Sequence, residues 1–401
     1  MDRRQFLQSA LIGCSAAASP LVTPVTLASA PWDGRLVVII LRGALDGLDA
    51  LRPLGDPDYA QLRPTLVGEG AGEHDLNGFF ALHPALAPLM PLWRAGELSV
   101  AAATSTPYRD KRSHFDGQAM LEAGSPSDAR IARDGWLNRL LQVVPDVETR
   151  TAFSVGRDRM HILAGDGPHA TWSPRTRLRM SPQAERLLEL VYHEDPLFRE
   201  AALLAGDILE GIEAAPDLDE EDASMMEGMM AQAPGGTRRS GEVARFVVEQ
   251  LRQDTRIASF SINGWDTHSR QAGQLGGKLE ELATTILLLK AGLGPVWEQT
   301  AVLVMTEFGR TARENGSRGT DHGTGGAMFM AGGAIRGGRA HGAWPGLSEA
   351  DLYQRRDLMP TRDIRAYAGW IMRAKFGVST SDIEQLIMPG VELGSDPGLL
   401  L

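Results

Sequence analysis

Two short segments set a carboxylate beside an imidazole: Gly264-Trp265-Asp266-Thr267-His268 and, further along, Gly319-Thr320-Asp321-His322-Gly323. They use two of only nine histidines in the chain. A deprotonated oxygen next to a neutral ring nitrogen is the donor pair that a divalent metal requires. Both segments read as strand ends or glycine-rich loops, where rigid backbone can hold donors in place. The chemistry they imply is metal-assisted hydrolysis, with no substrate specified.

Other polar clusters share this placement. Arg42-Gly43-Ala44-Leu45-Asp46-Gly47 follows the first apolar run, and Ser105 to Asp116 follows the second. Thr306-Glu307-Phe308-Gly309-Arg310 follows a later one. In open α/β sheets, ligands bind outside the carboxyl ends of the strands, so these clusters are expected to converge. Arg42, Arg109, Arg112 and Arg310 could fork around a tetrahedral dianion, since a guanidinium pairs with two of its oxygens. Ser113 falls at the start of an expected helix, where backbone N–H groups favour an incoming anion and a developing alkoxide. A plain helix cap is the alternative for Ser113. His114, next to it, reads as a metal ligand, an acid–base group or a structural histidine.

The elements needed to position these groups are legible. Leu36-Val37-Val38-Ile39-Ile40-Leu41 is a continuous apolar run, as expected for a central parallel strand covered on both faces. Leu98 to Thr104, Arg256 to Ile262, Ala301 to Met305 and Met328 to Ala331 read as further strands. Helices are expected over His83–Leu98, Ser113–Glu122 (closed by Gly124) and Ser269–Leu293. The last would link two strands in a βαβ unit with a right-handed crossover. Together they predict a mostly parallel central sheet with helices on both faces. Gly332-Gly333 and Gly337-Gly338 suit tight turns and are expected near the mouth of the site. Trp136 and Trp265 read as core.

The motifs Arg42-Gly43-x-x-Asp46-Gly47, Arg112-Ser113-His114-Phe115-Asp116, Gly264-Trp265-Asp266-Thr267-His268, Thr306-Glu307-Phe308-Gly309-Arg310-Thr311 and Asp321-His322-Gly323 resemble the bacterial family catalogued as domain of unknown function 1501. That family is grouped with the alkaline-phosphatase-like superfamily. The resemblance implies an alkaline-phosphatase-like fold and a metal site beside a hydroxyl nucleophile, acting on phosphate or sulfate esters. It places Asp46, Asp266, His268, Glu307, Asp321 and His322 as metal ligands for one or two divalent ions of zinc, manganese or calcium. Ser113, His114, Arg112 and Arg310 would be catalytic, with Arg42 and Arg109 binding substrate. Two departures stand out: Phe308 replaces a histidine, and the Asp-Thr-His spacing is short. Ser105-Thr106-Pro107-Tyr108-Arg109 resembles the sulfatase motif in which a serine is oxidised to formylglycine, and makes Ser105 a second nucleophile candidate.

The N-terminus reads as an address. Asp2-Arg3-Arg4-Gln5-Phe6-Leu7 is a twin-arginine signature, with an apolar stretch and the small-residue site Ala28-Ser29-Ala30 behind it. The expected layout is a signal over residues 1–30 and one α/β domain over 31–401, exported to the periplasm by the twin-arginine translocase. The apolar stretch is too interrupted for a stable membrane span. The single cysteine, Cys14, lies inside the signal, so metal donors must be oxygen and nitrogen. A formal charge of −11 argues against nucleic acid as a partner and leaves a small-molecule or glycan ester. An acidic, Met-rich stretch over 212–241 reads as a flexible insertion. The competing reading is a non-catalytic envelope or binding protein that keeps the fold.

Overall fold

The computed structural model describes residues 33–68, 72–127, 131–156, 158, 160–173 and 235–401. The signal read at 1–30 and the insertion up to residue 234 lie outside the described residues. Residues 235–241, assigned to that insertion from composition, form the first turns of a helix.

The strands are β1 (Arg35–Arg42), β2 (Leu51–Arg52), β3 (Ala81–Leu82), β4 (Leu98–Ser105), β5 (Ala152–Val155), β6 (Ala170–Trp172), β7 (Ile257–Asn263), β8 (Thr300–Thr306), β9 (Gly326–Ala331), β10 (Arg339–His341) and β11 (Arg362–Asp363). β2 and β3 form a small antiparallel ribbon. The others build one sheet in the order β10-β4-β9-β8-β1-β7-β5-β6, with β11 also pairing with β4. All but β9 run in one direction; β9 is antiparallel to both β4 and β8. β7 and β8 are not neighbours, because β1 lies between them and pairs with both. The expected βαβ unit therefore steps across β1.

The described α-helices longer than about one turn are α1 (Met90–Ala95), α2 (His114–Ala123), α3 (Trp136–Val143), α4 (Gly235–Leu251), α5 (Gln271–Leu293) and α6 (Ile364–Phe376). Every residue of β1 from Arg35 to Leu41 is buried, as a strand covered on both faces should be. Val37, Ile39 and Leu41 pack with residues of α4 and α5 in one core. Leu36, Val38 and Ile40, alternating to the other side, are equally buried, and α6 packs against β8. Helices thus cover both faces. Trp136 and Trp265 are fully buried.

The helix expected over 83–98 is shorter and broken. Pro84–Leu89 forms a 3-10 turn and α1 begins only at Met90. Pro88 and Pro91 remove backbone donors, and their rings crowd the preceding carbonyls, so one continuous α-helix cannot form. α2 agrees with its reading: Ser113 caps it and Gly124, at φ 62°, ends it in the left-handed region. Gly332-Gly333 and Gly337-Gly338 are corrected. Their backbones bond to Glu97, Trp297 and Gly96, beside the starts of β4 and β8 and at the far end of the sheet from the Asp266 loop. Among the described residues no helix is long and apolar enough to cross a membrane.

Candidate metal centre

The carboxyl ends of β1, β7 and β8 carry three loops that meet. The β7 loop presents Asp266 and His268. After β8, residues 309–311 pair with 321–324 through bonds such as Gly309 N–H to Thr324 O and Thr311 N–H to Asp321 O, which lays His322 over the strand ends. This approach depends on glycine: a Cβ on Gly323 would sit 2.4 Å from the carbonyl carbon of Arg310. The cap of α2 adds His114.

These side chains point inward around one oxygen. Asp266 Oδ1 lies 3.0 Å from His268 Nε2, 3.1 Å from His322 Nε2 and 3.4 Å from His114 Nε2. His268 Nε2 and His322 Nε2 are 3.0 Å apart. The remaining ring nitrogens all face outward. His114 Nδ1 is 2.8 Å from Glu307 Oε1, His322 Nδ1 is 2.9 Å from the Arg112 carbonyl, and His268 Nδ1 is 3.3 Å from Asp321 Oδ1. An imidazole that donates Nδ1–H to an oxygen keeps a lone pair on Nε2, which is how ligating histidines are usually oriented.

The donor set fits a metal. Donors at about 2.0–2.1 Å from a tetrahedral ion would stand roughly 3.3 Å apart, close to the spacings of the three imidazoles to Asp266 and of His268 to His322. His114 Nε2 is buried and makes no hydrogen bond, an unmet acceptor facing the cluster. His114, Asp266 and His322 alone bring their donor atoms within 4.8 Å of one another.

The electrostatics keep the carboxylates charged, and they act on His114 too: burial works to lower it, but the hydrogen bond and charge of Glu307 outweigh that and raise it above the ordinary imidazole value. Burial works to raise the Asp266 carboxyl, but the Arg310 guanidinium at 2.6 Å, with His322 and His268, outweighs it and holds it at about 2. Burial likewise opposes charge on Glu307. Hydrogen bonds from His114, Gln118 and the Gly43 backbone overcome it and keep Glu307 below the usual carboxylate range. Asp321 is also held low, by Asn315 first and His268 next. Burial lowers His322, and the neighbouring His114 and Arg310 add to that. The Phe308 ring stacks on His114 with centroids 5.1 Å apart, closing one side with apolar surface. The residue that stands in place of a histidine is thus a wall of the site.

Several expected ligands are placed otherwise. Asp46 is fully buried and bonded to Arg63 at 2.7 Å, Gln271 at 2.6 Å and Thr320 at 3.2 Å; these partners occupy it, and it is no part of the histidine cluster. Glu307 accepts from His114, Gln118 and the N–H groups of Gly43 and Ala44, so it orients His114 in place of ligating. Asp321 does the same for His268.

The arginines are engaged within the chain to different degrees. Arg310 is buried and gives its donors to the carbonyls of Ala44, Thr320, Gly43 and Trp265 and to Asp266. It positions Asp266. Arg42 pairs with Glu122 at 2.6 Å and with Gln118. Arg109 folds onto Ser105 Oγ and the carbonyls of Thr106 and Tyr108. Arg112 is exposed, with a guanidinium that forms no ion pair among the described residues. Ser113 sits between Arg112 and His114; its hydroxyl accepts from Asp116 N–H at 3.4 Å, a long cap bond. Arg63, Gln271 and Thr320 were not anticipated. Arg63 and Gln271 carry no local motif, whereas Thr320 lies inside one already singled out.

Comparison with curated proteins gives no match. Among solved structures, the chain is similar to the lipoteichoic acid synthase LtaP from Listeria monocytogenes, at 8% identity and a TM-score of 0.40, covering 88% of this chain and 74% of that one. It is similar to the zinc complex of the C-terminal periplasmic domain of EcEptC from Escherichia coli, at 8% identity and a TM-score of 0.39, covering 92% of each chain. A protein in the alkaline phosphatase superfamily from Vibrio parahaemolyticus is a third, at 13% identity and a TM-score of 0.36, covering 88% and 71%. A family model described as a protein of unknown function, DUF1501, matches residues 76–368, a span that takes in His114, Asp266, His268 and His322, and the chain belongs to that family.

Proposed function

We propose that the protein is an exported hydrolase of phosphate or sulfate esters, using one divalent transition metal held by His114, Asp266, His268 and His322. One observation carries the reading: three imidazoles tie Nδ1 to an oxygen and turn Nε2 toward Asp266 Oδ1. A metal there would polarise an ester oxygen and offset the negative charge that develops as the ester breaks. Three nitrogens and one oxygen suit zinc, and manganese next, over calcium, which favours oxygen. A second ion has no ready cage, since Asp46 and Glu307 are engaged elsewhere.

The chain's own groups would do the rest. Ser113 is assigned the attacking hydroxyl, because both of its neighbours touch the cluster and the first-turn N–H groups of α2 face an arriving anion. Ser105 is the weaker choice: it is buried and already accepts from Arg109. Arg112, exposed, would meet an outer oxygen of the anion. The twin-arginine signature supports export to the periplasm through the translocase, and the acidic charge supports a small-molecule or glycan ester over nucleic acid.

The test is elemental mass spectrometry on protein purified without chelator, alongside turnover of p-nitrophenyl phosphate and sulfate. Near-stoichiometric metal, lost in Asp266→Ala/His268→Ala, together with turnover lost in Ser113→Ala, is the expected result. A protein that takes up no added zinc or manganese would overturn it. Metal bound without turnover would favour the binding-protein reading, which the internally tied Arg42 and Arg310 already suit.

A further inference from the structure

We infer that the cleft beside Asp321 is a carbohydrate subsite that holds a polyhydroxylated leaving group of the ester, an inference that rests on the hydrolase reading above. The cleft has a volume of about 630 Å³, within the range of ligand pockets, and borders the metal centre through Asp321, which orients His268. Arg356 lines it and donates to the His322 carbonyl at 2.9 Å. A group bonded to an anion at the cluster would therefore run into this cleft.

Its walls select for polar, uncharged ligands. Asp58, Glu314, Asp321 and Glu349 line it together with Arg313, Arg355 and Arg356, four carboxylates against three guanidiniums, so the charges nearly cancel and neither a polycation nor a polyanion is favoured. Leu62, Leu347 and Leu352 supply the apolar part, and among the described residues lining the cleft none is aromatic. That surface is too small for a lipid chain but suits the C–H face of a sugar. Vicinal hydroxyls can donate to carboxylates and accept from guanidiniums at once. The Arg355–Glu349 pair is loose, at 3.8 Å with side chains 80% and 76% exposed, and is free to re-pair with hydroxyls.

The rim is also built under strain. Gln354 and Arg355 are consecutive non-glycine residues in the left-handed region, at φ 52° and 57°. Asp110 holds that turn by accepting from Gln354 Nε2 at 2.8 Å and Tyr353 Oη at 3.1 Å. Such strained backbone concentrates where ligands are gripped.

The test uses zinc-loaded mature protein, with glucosamine 6-sulfate and glucose 6-phosphate against p-nitrophenyl sulfate and phosphate. Binding is measured by calorimetry and turnover separately. Ser348→Trp fills the cleft and Arg313→Ala removes an exposed donor. Each is expected to weaken sugar-ester binding about tenfold or more, while aryl-ester binding moves less than about twofold. Arg313→Ala carries the test if the tryptophan variant fails to fold. Sugar esters that bind wild type no tighter than aryl esters, or that ignore both substitutions, would overturn the inference. Cleft-dependent sugar-ester binding without turnover of any ester would uphold the subsite and remove the hydrolase reading.

Discussion

Asp46 follows β1 and Asp266 follows the adjacent parallel strand β7, yet Asp46 is wholly buried while the Asp266 side chain is 45% exposed. Each is paired with an arginine and each is held ionised. Around Asp46 the partners are Arg63, Gln271 and Thr320, which consume its lone pairs and tie it to the loops at 311–312 and 320. Around Asp266 one guanidinium takes one side and three imidazole Nε2 atoms face it from the others. Converging Nε2 atoms can offer lone pairs to a cation; a saturated ion pair offers none. The same residue type at corresponding strand ends is a strut in one place and a ligand candidate in the other.

The largest effect should fall on the histidine side. His268→Ala/His322→Ala takes away two of four donors. If zinc binding is worth about 10–16 kcal/mol over four ligands, roughly half is lost, about 10⁴-fold or more in affinity. Competition with a chromophoric chelator would measure this. Urea midpoints of the metal-free proteins should stay close, since neither ring is fully buried, with side chains 44% exposed at His268 and 17% at His322. Undiminished zinc affinity would break the comparison from this side.

Arg63→Ala should do the reverse. It strands a buried carboxylate and frees the carbonyls of Thr311 and Ala312, at a cost of about 3–5 kcal/mol in urea unfolding. Unchanged stability would mean the Asp46 node is not a strut.

The pH dependence separates the two aspartates further. Burial disfavours charge on Asp46, but Arg63 and Gln271 keep its folded-state pKa below the ordinary value. A depressed carboxylate contributes stability above its unfolded pKa, about 3.9, and loses it as pH falls through the folded value. Asp46→Asn should therefore cost about 2–3 kcal/mol at pH 7. The gap from wild type should narrow steadily below about pH 4. A gap that stays constant to pH 2 would show that charge at Asp46 is not what stabilises the node.

The contrast also marks how far sequence reading reaches. The central strands and the two-faced sheet were legible because β1 and the core of β8 are continuous apolar runs and β4 is a run of small residues, and α2 was legible from its serine cap and terminal glycine. Asp266, His268 and His322 were legible because imidazole beside carboxylate is rare. Asp46 and Glu307 look the same on paper, and only tertiary partners distinguish them. Arg63 reaches Asp46 from a different loop, and the N–H groups of Gly43 and Ala44 reach Glu307 from the β1 turn. The partners of Arg310 were hidden for the same reason: five oxygens from separated segments surround it, and no local spacing announces them.

The smallest effects lie with the two carboxylates that orient histidines, and their difference again follows burial. Glu307 is fully buried, with His114 at 2.8 Å, so Glu307→Gln keeps an acceptor for Nδ1–H while removing a charge that little water screens. Metal affinity should fall about 10–100-fold, as for other groups that orient ligating histidines. Asp321 is 53% exposed and its contact to His268 is longer, at 3.3 Å. Solvent already screens that charge, and Asn can still accept from Nδ1, so Asp321→Asn should cost less than about tenfold. Chelator competition on the two variants side by side gives the ratio directly. An Asp321→Asn loss equal to or larger than that of Glu307→Gln would mean that Asp321 meets the metal itself, which the outward-facing His268 Nδ1 argues against.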